Sequence, residues 1–574
     1  MEKVSNNSHS KRSPLKKIIL LACMITGFLF FNKSSLFAQE NGLDKFKAAP
    51  LEIRGNISVG AQYYNPDSAI GAPDVPEKMR MNAFGNAIIS KGGFSAGIRY
   101  EAYQNPLLGF DPKYEGQGIP YRYFSYTQDG LEVTVGNFYE QFGTGMILRS
   151  YEARDLGLDN AMDGVKVKYE PYKGITLKGL IGRQRYYWET SESLVRGIDG
   201  MMVLNETFAG LKNKKLKVKL GGSLVSKYQE DNNPNYKMPE NVGSYGGRII
   251  LNYKDISFLG EYTYKENDPS FDNGYIYKPG QGLYLSASYS KKGFGINLSA
   301  KYIDNMSFRS ERDQVLNDLT INYLPALTKQ HTYNLAATLY PYATQPTGEV
   351  AFQGDLIYKL KKKTWYGGKY GTTIQLNAAV AYGLDSTHLY DESTTRQGYE
   401  AKFFSPGDDQ YFQDLNVTIE RKLNKKFKLK AMYMNLMVNN NIMNFAGLNG
   451  KYKGKIYADI AVLDVLYKFK KKHAIRAELQ GLFTKQDMGD WATLILEYTY
   501  SPHWFVAIMD QYNYGNPISK NRVHYPYATF GYTKNTTRIA VGYGRQKAGL
   551  FCVGGVCRQV PASNGATLTI TQSF

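Results

Sequence analysis

The chain has 574 residues, a formal charge of +19, 48 Tyr, 56 Gly and a negative mean hydropathy of −0.42. No apolar run beyond Phe31 is long enough for a membrane-spanning helix, which excludes a helical membrane protein. The basic residues lie in short Lys clusters between segments, with no basic helix and no zinc-finger spacing. Such charge speaks against nucleic acid and fits anionic lipid or polysaccharide at an envelope surface.

At the start, Lys11, Arg12, Lys16 and Lys17 precede the apolar stretch Ile18 to Phe31 and then Leu36-Phe37-Ala38. This is the layout of a secretory signal peptide over 1–38. Leu20-Leu21-Ala22-Cys23 resembles a lipoprotein cleavage box, but the apolar run continues past Cys23, and the signal-peptide reading is preferred. Residues 39–49 read as a short periplasmic segment, too short for the plug domain of an energised importer. Residues 50–574 read as one domain.

From there the chain alternates. Phe94, Ala96, Ile98 and Tyr100 oppose Ser95, Gly97, Arg99 and Glu101. Ile296, Leu298, Ala300 and Tyr302 oppose Asn297, Ser299 and Lys301. Leu568, Ile570 and Phe574 oppose Thr567, Thr569, Thr571 and Ser573. A soluble sandwich would alternate over only about seven strands. Here the pattern fills more than five hundred residues. A closed barrel is the one non-helical way to satisfy every backbone group in lipid. The expected class is all-β: a large transmembrane antiparallel β-barrel of the Gram-negative outer membrane, with about 24 strands and a range of roughly 22–26. Thirteen strands fit before Asp304 and nine from Tyr411 onward. The middle, 331–383, offers three segments where parity needs two or four.

Connection lengths set the orientation. Tight turns such as Lys91-Gly92-Gly93, Gln128-Asp129-Gly130 and Lys291-Lys292-Gly293 alternate with long connections at 65–79, 104–120, 141–160, 305–330, 384–410, 439–452 and 548–563, among others. Outer-membrane barrels keep short turns in the periplasm and long loops outside. Trp491 and Trp504, around the turn at Ser501-Pro502-His503, are expected in an interfacial aromatic girdle.

One connection stands apart. Gly136 to Gly164, between strands at Leu131 to Val135 and Val165 to Tyr169, carries Glu140, Arg149, Glu152, Arg154, Asp155, Asp159 and Asp163. These charges are interleaved with Phe138, Tyr139, Phe142, Met146, Ile147, Leu148 and Tyr151. Its apolar groups need burial, and buried charges need partners. The segment is expected to fold inward as a plug, paired internally and with lumen-facing Arg99, Glu101, Lys166 and Lys168. Arg149 and Arg154 are the expected anchors to carboxylates. The run Asp155, Asp159, Asn160 and Asp163 offers oxygen ligands but not the spacing of a Ca²⁺ loop, so ion pairing is preferred and no metal or other cofactor is expected.

Two other motifs have plainer readings. Cys552 and Cys557 flank Val553-Gly554-Gly555-Val556 in the last external loop, where a structural disulfide is expected in an exported chain. Gly93-Phe94-Ser95-Ala96-Gly97 matches a nucleophile elbow, but it runs up a strand rather than into a helix, and no histidine spacing supplies a base. No catalytic residue is expected. A surface hydrolase is the third reading of the chain.

The blocks GNFYEQFGTGMILRSYEARDLGLDNAMDGVKV (136–167), YPYATQPTGEVAFQGDLIY (340–358) and FCVGGVCRQVPASNGATLTITQSF (551–574) together resemble an outer-membrane family of Bacteroidota described only as a domain of unknown function, number 6029. The resemblance covers nearly all of the mature chain. It implies a location and a fold and no activity. In such bacteria Asp-Ser/Thr-apolar or Thr triplets carry O-glycans, which marks Ser68 and Ser386 as candidates. Terminal Phe574 resembles the signal read by barrel-assembly machinery. The leading expectation is a non-enzymatic barrel that acts in transport or as a subunit of an envelope machine, with outer-membrane lipid and a possible envelope protein as partners. The alternative is an open porin-like channel.

Overall fold

The computed structural model describes residues 49–389, 396–443, 454–553 and 556–574. The expected leader, 1–38, lies outside the described residues. Twenty-four strands pair antiparallel, each with its sequence neighbours, from Glu52–Asn65 to Ser563–Ser573. The first strand also pairs with the last, Asn56 opposite Ser573 through Asn65 opposite Asn564, so the sheet closes. Closure leaves no edge, which is what hydrocarbon demands of a β-structure.

Alternation sets the two faces of the wall. Ile98, Ile181, Ile198, Leu298, Leu479 and Leu494 point outward and are exposed. Their neighbours Arg99, Asp199, Arg248, Glu261, Lys301, Asp414 and Glu478 point inward and are buried. An apolar belt outside and polar groups inside define a membrane-spanning barrel of the outer-membrane type.

Strand parity in the middle resolves through a helix. Of the three segments in 331–383, Gly348–Lys359 and Thr372–His388 are strands. The first contains the short helix Asn334–Thr338, with Leu335 and Ala336 buried. The connection expected at 305–330 therefore runs over 305–347. The connection expected at 384–410 is shorter, because Thr372–His388 and Tyr399–Lys422 continue outward as one ladder. A twelfth long connection, 484–490, has no counterpart among the expected ones. A protease-cleavable tag near Pro73 or Asn440 should be cut on whole cells, and one after Lys292 should be protected. The reverse accessibility would invert the orientation.

The two tryptophans part company. Trp504 is 40% exposed on the outer face, tilted against Tyr532 at 4.3 Å. Trp491 is 1% exposed and stacks on Tyr525 inside. It occupies the end of Trp491–Tyr500 away from the turn, so it takes no part in a girdle. At the seam, Phe574 exchanges backbone hydrogen bonds with Gly55 and its ring covers that glycine.

Candidate functional site

The site is the filling of the barrel, made by two connections. In the first, 139–161, Gln141–Phe142 pairs with Leu148–Arg149, and Glu152–Ala153 pairs with Leu158–Asp159 around the turn Arg154–Leu156. Phe142, Ile147 and Leu148 are buried against inward-facing Leu180, Val195, Val225 and Val242. Gly143 fixes the tip. Its φ is +54°, and a Cβ there would meet the Glu261 carboxylate at 2.4 Å. Only glycine satisfies both demands. Glu261 in turn accepts the Thr144 N–H at 2.8 Å.

The charges form a closed set. Arg185 donates two bonds to Glu101, at 2.8 and 2.7 Å, and one to Asp159 at 2.6 Å. Arg99 pairs with Glu101 at 2.7 Å, with Glu152 at 3.0 Å and with Asp159. Tyr139 donates to Asp159 at 3.0 Å. Arg154 pairs with Glu152 and lies over the Phe84 ring. Three carboxylates thus face three guanidinium groups, buried at Arg99, Arg185 and Glu101 and half-buried at Arg154 and Glu152, and each fork meets a planar acceptor. Glu140 is held by Lys178 at 2.8 Å and Lys166 at 3.7 Å.

Four expected roles change. Arg149 is no carboxylate anchor: its guanidinium lies between Tyr151 and Tyr323, 4.5 and 4.1 Å from the ring centroids. Its neighbours are rings because the second connection lays Tyr323 alongside. Asp163 is outside the filling. It sits on strand Met162–Tyr172, on the same face as exposed Val165, and pairs with Arg122 at 3.2 Å. Asp155 is exposed on the turn Arg154–Leu156. The three aspartates therefore diverge. Among the described residues no cluster of His, Cys, Asp or Glu has a metal-holding arrangement. Lys168 pairs with Glu170 at 2.8 Å rather than with the filling.

The second connection, 305–347, carries a short charged run, Arg309, Glu311, Arg312 and Asp313, but was not legible as filling. Arg149 N–H donates to Ile321 C=O, and Tyr323 N–H to Gly145 C=O, at 2.8 and 2.9 Å. Asn322 donates to the carbonyls of Met146 and Met306. Beyond this seam the connection crosses to the other side of the wall. Lys329 donates to Asn416, His331 meets Asp414 at 2.6 Å, and Gln480 accepts the Leu335 N–H at 2.9 Å. Tyr333, Leu335, Leu339 and Tyr340 are buried among Met432, Met434, Leu436, Ile456, Ile460 and Val462. Those wall residues point inward, so strands Phe427–Asn439 and Lys455–Lys470 are apolar on both faces. That double-faced pattern is the signal that the lumen here is a packed core. Burial pushes the Asp318 and Asp487 carboxyls up, although Tyr187 and Tyr340 donate to them. Burial likewise pulls Lys329 down.

A cavity of about 650 Å³ remains where the two connections meet the loop at 105–115, lined by Phe110, Tyr114, Tyr187, Arg309, Asp318 and Tyr323, among others. Hairpin Gly549–Val553/Val556–Val560 lies against helix Asn334–Thr338 and turn Arg154–Leu156, and its backbone sets Cys552 opposite Cys557. Alkylation of intact cells without reductant is expected to label neither cysteine, and labelling of both would remove the disulfide. Cys→Ser changes should cost little global stability, because the closed loop is short. Ser68 is exposed in a turn, and Ser386 is exposed on a strand opposite Ala401 rather than in a loop. Ser95 faces inward at the second position of strand Phe94–Gln104, next to the turn, 3.4 Å from the Tyr123 hydroxyl.

A closed 24-strand barrel with an apolar belt and a filled lumen defines a large integral outer-membrane barrel. More narrowly, the chain belongs to the family of unknown function DUF6029, whose profile matches residues 15–574. No curated protein matches it. Among solved structures it is similar to the siderophore receptor PirA of Pseudomonas aeruginosa, at 10% identity and TM-score 0.39 over 91% of this chain and 80% of that one. It is also similar to the P pilus usher PapC translocation pore, at 7% identity and TM-score 0.36 over 91% and 99%. OccAB3 of Acinetobacter baumannii shows 9% identity and TM-score 0.35 over 92% and 99%.

Proposed function

We propose that the protein is a non-enzymatic transport barrel whose resting state is occluded by its own two inward connections. The observation that carries this reading is the seam between them. Backbone bonds join 145–149 to 321–323, and the second connection shares the first one's apolar cluster through Phe308 and Ile321 before it continues onto the sector with Met432, Ile460 and Val462. A lumen as wide as this one needs filling to close, because strand side chains alone do not reach across. The filling belongs to the chain itself, so closure requires no partner. Opening means breaking the seam or withdrawing one half, which suits a gated transporter or a subunit of an envelope machine better than a constitutively open porin. The purified barrel in planar bilayers should show long closed periods at low voltage. A steady ohmic pore would favour the porin reading.

A further inference from the structure

On the outward face of the barrel, four charged residues gather toward the long-connection ends of four strands. Arg122, Asp163, Arg183 and Arg196 lie on four strands, Gly116–Gln128, Met162–Tyr172, Ile175–Tyr186 and Leu194–Val203. Each shares a face with exposed apolar residues two positions nearer the periplasmic turns: Phe124, Val165, Ile181 and Ile198 are 49%, 38%, 44% and 64% exposed. The register brings the four together. Asp163 stands directly opposite Arg183, and Arg196 opposite Ile181, which places Arg196 diagonal to Arg183 on the same face. Arg122 reaches Asp163 at 3.2 Å.

Three guanidinium groups thus share one carboxylate. Asp163 is committed to Arg122. Arg183 is exposed and makes no ion pair among the described residues. Arg196 donates to Asn241 at 2.9 Å, but its Nε is buried and has no acceptor among the described residues. The excess positive charge stands toward the long-connection ends of these strands, next to the exposed Phe124, Val165, Ile181 and Ile198. An unpaired cation at that depth is costly unless an anion meets it. Guanidinium forks match the oxygens of a phosphate.

We propose that Arg183 and Arg196 bind the phosphate of a phosphorylated glycolipid headgroup in the outer leaflet. Arg122–Asp163 flanks the site and sets its edge. The proposal is independent of how the lumen opens.

The test uses the full-length barrel in phosphatidylcholine nanodiscs doped with monophosphoryl lipid A or with its dephosphorylated form, and native mass spectrometry counts the glycolipid retained. The wild type should retain the phosphorylated form several-fold over the dephosphorylated one. The doubly substituted R183Q/R196Q barrel should lose that preference while keeping heat-modifiable mobility on gels. The Arg538→Gln change, at an inward-facing position opposite Thr571, should keep it. Equal retention of the two forms by the wild type would overturn the proposal. So would a preference unchanged in R183Q/R196Q, since the arginines would then be cations merely extended toward water.

Discussion

Deleting 141–160 should raise single-channel conductance several-fold, and replacing 306–346 with a short Gly/Ser linker should raise it as well. Removing both should give the largest increase and a steady open pore. The order follows from the packing. The first connection packs on the wall sector that includes Leu180, Val195, Val225 and Val242, where Phe308 and Ile321 of the second join it, and the second also covers the sector from Ala351 to Trp491. Each deletion empties part of the lumen and leaves the other half of the seam facing water. The exposed half carries apolar groups such as Ile321 and Phe308, or Ile147 and Leu148, and their exposure loosens it further. The strands should persist, because their ladder bonds and outer belt do not involve either connection, and heat-modifiable mobility should be retained. Unchanged conductance in the double deletion would mean that the filling does not limit flow. The buried charges would then mark a docking surface.

The second large effect concerns Arg185. Changing it to Met removes the fork that joins Glu101 to Asp159 and leaves Arg99 as the one guanidinium facing both carboxylates. Arg185 is 3% exposed and Glu101 1%. Stranding a buried charge in this way costs about 3–5 kcal/mol. The 139–161 connection should detach and become open to protease added outside, and closed periods should shorten. Arg149→Ala should do less: it removes two ring contacts worth about 2 kcal/mol and strands no carboxylate. A Glu101→Gln change placed beside Arg185→Met should recover part of the loss, as coupled partners do in a double-mutant cycle. A connection that stays resistant in Arg185→Met would show that apolar packing alone holds it.

The barrel was legible because strand alternation is local: lipid outside and charge inside impose a period of two on every strand, and antiparallel closure imposes an even count. Gly136 to Gly164 stood out for the same kind of reason, a density of apolar and charged residues that no solvated loop carries. Which charges meet was not legible. Arg149 and Arg154 lie in the segment, yet the forks that bind its carboxylates come mainly from Arg99 and Arg185 on the wall. Arg185 ends a strand far along the chain from Glu101, and only barrel curvature brings them within 2.7 Å. Asp163 differs from Asp159 by one strand start, and alternation then turns it to the lipid side.

The 305–347 connection shows the limit most plainly. Its sequence is moderately polar, and its one helix is five residues long, so no local period marks it. It folds inward because the opposite wall presents Met432, Met434, Ile460 and Val462 to the lumen. By itself the sequence determined the class, the strand periodicity and the alternation of short and long connections, since these depend on neighbours along the chain. The tertiary structure alone decided what fills the barrel, since burial there is set by residues that meet only once the sheet has closed.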